Sequence, residues 1–308
     1  MFVMYKLLNE SILIPFIYNP IKLVVLFALC ILRIKKFSCF FNKLESYHTY
    51  PRVVFFKTLY FNFRSLPFKL AIKCPIFLYE HLAIISSSGN IRIEDTPICA
   101  GMIRWGRFDS FRSQGKTRIN NKGTIIFKGK GRMIRGNEIC VWPNAVLSIG
   151  DDFFLGENTM IYCQKSISIG KSIRFAYHSQ MFDTDFHYSM NINSGEVHKK
   201  EKAIVIGDYN WFGNKTTIKK GTKTPNHLTV AGSYSLLGKD YTKEIPEYSV
   251  IGGVPAKLLL TGYSRIWNNE LHRIKEINEW FSLHPKERVF TYDLSHCSLV
   301  NLTENESK

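Results

Sequence analysis

The chain is short of several things that would have placed it quickly. Its seven cysteines (Cys30, Cys39, Cys74, Cys99, Cys140, Cys163 and Cys297) are odd in number and scattered, with no CxxC pair. That spacing excludes a disulfide framework and a cysteine-rich zinc site, and it fits a reducing, cytoplasmic compartment. Long apolar runs are missing too. The longest, Leu23 to Leu32, would rise roughly 15 Å as a helix, about half of a bilayer core. Lys22, Pro20 and Pro15 block its extension backwards, and no small-residue cleavage site follows it, so neither a full span nor a secretory leader is expected. Acidic residues are scarce: 25 Asp and Glu stand against 41 Lys and Arg, for a net charge of +16. An anionic partner is implied, with no motif that points to nucleic acid.

What is present divides the chain by texture. The 308 residues, 45% of them hydrophobic, are enough for a sizeable core. Residues 1–80 carry 11 Lys or Arg against 3 Glu and hold 18 of the 43 aromatic residues. Residues 1–87 are therefore read as a basic, aromatic-rich, largely helical segment. Two roles stay open for it: residues 1–40 resting on an anionic membrane face, or an amphipathic element covering the end of the main domain.

From residue 88 to 260 a repeat takes over. Ile149-Gly150, Leu155-Gly156 and Ile161 are spaced by six, as are Ile169-Gly170, Phe175-Ala176 and Met181. A second run gives Ile206-Gly207, Phe212-Gly213, Ile218, Thr224, Val230-Ala231 and Leu236. A period of six fits neither a helix nor a half-buried strand. It predicts a parallel β-helix in which each hexad supplies one short strand and one corner, the aliphatic residue points inward and three hexads close a coil. Ile149 to Ile169 is two residues too long for three hexads, which places an insertion at Gln164-Lys165. Met181 to Ile206 is longer still, so residues 186–202 are expected to leave the prism, and long loops on solenoids often carry the binding function.

These repeats, together with IGDYNWFGNKTTIKKGT (Ile206 to Thr222) and EIPEYSVIGGVPAKLL (Glu244 to Leu259), resemble the hexapeptide-repeat acyltransferases over Ile91 to Leu260. With DTDFH (Asp183 to His187) the likeness is to the branch that acetylates sugars of bacterial capsule or lipopolysaccharide. The resemblance implies a left-handed all-β prism, a homotrimer, acetyl-CoA as acyl donor and a sugar or glycan acceptor. The chain departs from the pattern at Phe212, where Ile is usual, at Thr224, and in TKTPNHL (Thr222 to Leu228).

In an extended segment Asp183, Asp185 and His187 would share one face. Two carboxylates beside one imidazole can fix its tautomer and stabilise its protonated form, as a general base requires. The resemblance gives His187 that role: it takes the proton of an acceptor hydroxyl, whose oxygen attacks the thioester. Backbone N–H donors for the oxyanion are expected near Trp211 to Gly213. A lysine ladder of Lys215, Lys219, Lys220 and Lys223, with Lys257 in the PAK element, could hold the phosphates of coenzyme A. Lys219, Lys220 and Lys257 are taken as cofactor-binding, and Trp211, Gly213 and Ser233 match family positions beside the cofactor channel. His178, His187 and His198 are spaced by nine and eleven, unlike the histidine pattern of zinc-dependent prisms, so no metal is expected. His178 and His198 are read as corner or loop residues. Two other readings remain: N-acylation of an amino sugar nucleotide, and a non-catalytic scaffold in membrane glycan assembly.

Residues 261–308 turn helical. Leu271, Ile274, Ile277, Trp280 and Phe281 fall at helical spacing behind the N-cap candidates Asn268 and Asn269, and a polar tail ends the chain.

Overall fold

The computed structural model describes residues 53–79, 81–94, 96–107, 115–266 and 271–291. The run Leu23 to Leu32, the expected membrane contact of residues 1–40, Asn268, Asn269 and the polar tail lie outside the described residues. Short strands wind around three flat parallel sheets. The first sheet stacks β1 (Ile76–Leu78), β4 (Ile103–Arg107), β7 (Gly131–Ile134), β10 (Phe153–Leu155), β13 (Arg174–Phe175), β16 (Trp211–Phe212), β18 (Thr229–Val230) and β20 (Ser249–Gly252). The second stacks β2 (Leu82–Ser87), β5 (Thr117–Asn121), β8 (Glu138–Val141), β11 (Met160–Cys163), β14 (Gln180–Phe182), β17 (Thr217–Lys219) and β19 (Leu236–Leu237). The third stacks β3 (Asn90–Ile93), β6 (Thr124–Phe127), β9 (Val146–Ile149), β12 (Ser166–Ile169) and β15 (Ile204–Ile206), and parallel bridges at Lys223 and Asp240 prolong it.

This is the parallel β-helix that the hexads predict, and the register shows why they make it. Leu78, Trp105, Met133, Leu155, Phe175, Phe212, Val230 and Ile251 pair successively across the first sheet and are all buried. Ile119, Ile139, Ile161, Met181, Ile218 and Leu237 do the same in the second. Each coil thus buries its aliphatic residues only against the coils above and below. The Phe212 departure is explained here, since its ring stacks on that of Phe175 at 4.4 Å. Thr224 keeps the inward position by turning its hydroxyl to the Gly207 N–H and the Asn210 side chain.

The small residue after each aliphatic is set by crowding. A Cβ on Gly150 would lie 2.4 Å from the Gly170 backbone, and one on Gly213 would lie 2.3 Å from the Gly232 nitrogen. The left-handed backbone needed at the corner falls two residues further on, at Asp152, Asn158, Ser172, His178, Tyr209, Lys215 and His227. His178 is accordingly a corner residue.

Three expectations are revised. The prism begins at Ile76, not residue 88, because β1 and β2 already pair with β4 and β5. Only the preceding part of the 1–87 segment is helical where described: α1 (Phe55–Ser65) and α2 (Phe68–Ala71). Leu237, rather than Leu236, points inward, since two successive left-handed residues, Ser233 and Tyr234, shift the coil by one.

The two ends are closed differently. At the first, α1 lies against β1: the Asn62 side chain bonds both the N–H and the C=O of Ile76, and the Thr58 hydroxyl does the same at Leu78. Phe61 packs edge-on to Trp105. Unpaired strand groups at an exposed sheet edge are an aggregation hazard, and here side chains pair them. At the second end the chain reverses, and β21 (Lys257–Thr261) runs antiparallel to β20 with its leucines exposed. The helix expected near the C-terminus is α3 (Leu271–Leu283). Among the described residues no helix is long and apolar enough to cross a membrane.

Candidate active site

The expected shared face of Asp183, Asp185 and His187 does not form, because β14 ends at Phe182 and the chain turns at once. Asp183 is fully buried. Its carboxylate accepts the N–H groups of Gln164 and Lys165, each at 2.7 Å, and lies 3.6 Å from the Cys163 sulfur. These are the two residues inserted at that corner, so Asp183 supplies the hydrogen bonds that a regular turn would have made. Burial, reinforced by the charge of Asp183, pushes the Cys163 thiol up, which leaves it protonated and unreactive.

Beyond Asp183 the excursion rises as a narrow antiparallel pair. Thr184 bridges Glu201 and Met190 bridges Val197, and the tip closes where the Asn191 side chain accepts the N–H groups of Asn193 and Ser194. Residues 185–199 are all exposed. His187 stands near the base. Its backbone N–H donates to the Asp185 carbonyl at 2.7 Å, and Phe186 before it takes a left-handed conformation, φ 63°. Its imidazole is exposed and makes no hydrogen bond with any described residue. His198 lies on the returning side of the excursion, equally exposed.

Asp185 turns away from His187 toward two lysines, with Lys220 Nζ at 2.6 Å and Lys219 Nζ at 3.9 Å. Lys220 also donates to the Lys199 carbonyl at 2.8 Å, so one ammonium ties both sides of the excursion to the prism. The same two lysines open onto a cleft of about 400 Å³, lined also by Leu236, Gly238, Lys239, Tyr241, Pro255, Ala256 and Lys257. Four ammonium groups surround an apolar floor. This arrangement suits a ligand with several phosphates and a narrow, weakly polar arm; among the described residues no acidic side chain lines the cleft, although Glu244 pairs with Lys239 from outside it.

The cofactor-binding candidates therefore divide. Lys219, Lys220 and Lys257 line the cleft. Trp211, Gly213 and Ser233 do not. Trp211 points out of the first sheet, half exposed, with the Arg265 guanidinium 5.0 Å from its ring centre. Gly213 is required by the Gly232 backbone, and Ser233 is a left-handed corner residue. Of the other ladder lysines, Lys215 bonds the Tyr234 hydroxyl and Lys223 pairs with Asp240. Lys239 and Tyr241 also line the cleft and were not picked out from the sequence; the signal for Lys239 was its place one coil beyond Lys220, in the register that pairs Thr217 with Leu236 and Ile218 with Leu237. Among the described residues no group of three or more His, Cys, Asp or Glu side chains is gathered as for a metal ion.

No family model matches the chain. It is 28% identical over 151 residues to the putative lipopolysaccharide biosynthesis O-acetyl transferase WbbJ of Escherichia coli K12, a match covering 46% of this chain and 74% of that protein. It is 32% identical over 68 residues to the polysialic acid O-acetyltransferase of Neisseria meningitidis, covering 22% of this chain but only 32% of the relative. Among solved structures, the polySia-specific acetyltransferase NeuO aligns over 68% of this chain and 95% of its own length, at 17% identity and a TM-score of 0.43.

Proposed function

We propose that this chain is a hexapeptide-repeat acyltransferase that moves an acetyl group from acetyl-CoA to a sugar hydroxyl in the assembly of a bacterial surface polysaccharide, a reading supported by its likeness to two O-acetyltransferases. One observation carries the reading: through Asp185 and Lys220, the excursion bearing an accessible histidine is fastened to the rim of a lysine-lined cleft. The donor would place its phosphates among Lys219, Lys220, Lys239 and Lys257 and its arm along Leu236 and Ala256, and it supplies the activated acyl group. His187, exposed and without a hydrogen-bonded partner among the described residues, accepts the proton of the acceptor hydroxyl as that oxygen becomes the nucleophile. Asp185 acts by holding the base of the excursion. Asp183, proposed from sequence as a partner of His187, is a positioning residue for the corner beneath it.

The reading includes a homotrimer, in which Trp211, Gly213 and Ser233 would serve the cleft of a neighbouring copy. It also includes a peripheral, electrostatic contact of residues 1–40 with the cytoplasmic face of an anionic membrane. Thiol release from acetyl-CoA, followed across sugars, lipid-linked glycans and amino sugar nucleotides, tests it. Turnover with a hydroxyl acceptor is the expected result. Turnover only with an amino sugar would make the chain an N-acyltransferase, and none with any acceptor would leave a scaffold.

A further inference from the structure

The outward row of the second sheet runs, in register, through Asn120, Cys140, Tyr162, Phe182 and Lys219. Lys219 borders the lysine cleft. On the other side of the excursion the same row becomes aromatic: the rings of Tyr162 and Phe182 are 5.3 Å apart, and Trp142 lies 5.8 Å from Tyr162. Phe186 folds back onto this group, with ring centres 5.9 Å from Tyr162, 6.1 Å from Phe182 and 6.2 Å from Trp142. All four keep part of their surface open to solvent. Outward positions of a β-helix need no aromatic residues for the core, and four gathered beside the residue before His187 form a platform.

Its edge is polar and held in place. Glu138 accepts the Tyr162 hydroxyl at 2.7 Å through one oxygen and Arg118 at 3.0 Å through the other. Phe186 is fixed as well, since its N–H donates to the Thr184 hydroxyl, which itself donates to Gln164. A left-handed backbone at a bulky residue costs about 1–3 kcal/mol and persists only where its surroundings hold it. The ring contacts of Phe186 provide that hold.

We infer that Trp142, Tyr162, Phe182 and Phe186 are the acceptor platform, taking the C–H face of a pyranose ring while Glu138 and Arg118 bond its hydroxyls. Flat aromatic surface beside a fixed carboxylate matches a sugar, which has an apolar ring face and a rim of donors. The turn that carries His187 touches both regions, the cleft lysines through Asp185 and the aromatic rings through Phe186, so the histidine follows directly on the residues that join them. The inference rests on the acetyltransfer reading only for what happens to the bound sugar.

The full-length protein is titrated with methyl galactoside, methyl glucoside and methyl N-acetylglucosaminide, following tryptophan emission, and acceptor KM is measured in parallel. A saturable emission change for at least one glycoside, absent in Trp142→Phe, is expected. Phe182→Ala should weaken glycoside binding and raise the acceptor KM about tenfold, with the KM for acetyl-CoA unchanged. Tyr162→Phe, which keeps the ring and loses the link to Glu138, should do so less. If Phe182→Ala and Phe186→Ala bind the glycosides as wild type does, the platform is refuted. It is refuted too if these variants change the mass of the assembly by light scattering and not glycoside affinity, since a second copy would then be the occupant. Glycoside binding that Phe182→Ala abolishes in a protein without turnover would support the platform while overturning the acetyltransfer reading.

Discussion

The corner at Gln164-Lys165 and the excursion that leaves the prism beside it are made by neighbouring stretches of chain under different constraints. In the corner, Asp183 is sealed from water and its carboxylate answers two main-chain amides and a thiol. Two residues later, Asp185 stands at the surface and answers two lysine side chains. The same functional group closes a turn in one place and fastens the excursion to the lysine-lined cleft in the other. What separates the roles is the end of a strand between them, a distinction that spacing in the sequence cannot carry.

That contrast can be broken or sharpened by substitution. The largest expected effect lies in the excursion: His187→Ala should lower acyl transfer by at least about 10²-fold, with the melting temperature and acetyl-CoA binding unchanged by calorimetry. The corner should give the opposite signature. Asp183→Asn puts an amide donor where two N–H groups need acceptors, and unfolding in denaturant should show a loss of about 1–3 kcal/mol. Equal activity loss from both variants at unchanged stability would erase the distinction. The smallest effect belongs to the link between the two regions. Lys220→Ala removes one of four cleft cations and the tie to Asp185, and should raise the KM for acetyl-CoA by roughly fivefold at low ionic strength, about 1 kcal/mol, the upper end for a solvent-exposed ion pair. The difference from wild type should shrink as salt is added.

The fold was legible wherever an inward aliphatic was followed by a small residue six positions after the last. Ile149, Leu155, Ile161, Ile169, Phe175 and Met181 all point into the core. The first coil escaped because β1 and β2 lie in apolar sequence that continues the texture of the segment before them, with α1 packed against β1. Leu236 was misread because a second left-handed residue in one corner leaves no mark on the period. At the site, His187 and the lysines Lys219, Lys220 and Lys257 could be picked out by motif. The partner of Asp185 could not, since alternation of faces holds only while a strand lasts. The aromatic platform was invisible for a related reason: Trp142, Tyr162 and Phe182 are about one coil apart in sequence and become neighbours only once the coils stack.

A stack of coils in register is a template on which further strands can grow, much as a crystal grows from a step, and nothing in the hexads says where to stop. At one end α1 occupies the step, because Asn62 and Thr58 fill the bonding positions that another coil would take. At the other, β21 runs against the direction of the strands before it in the first sheet, so a further coil would find there an antiparallel edge and not the parallel one on which the stack is built. The solenoid is thereby a finite particle with two unlike terminators: the histidine and the platform sit on its flank, while the cleft borrows Lys257 from the start of the second terminator.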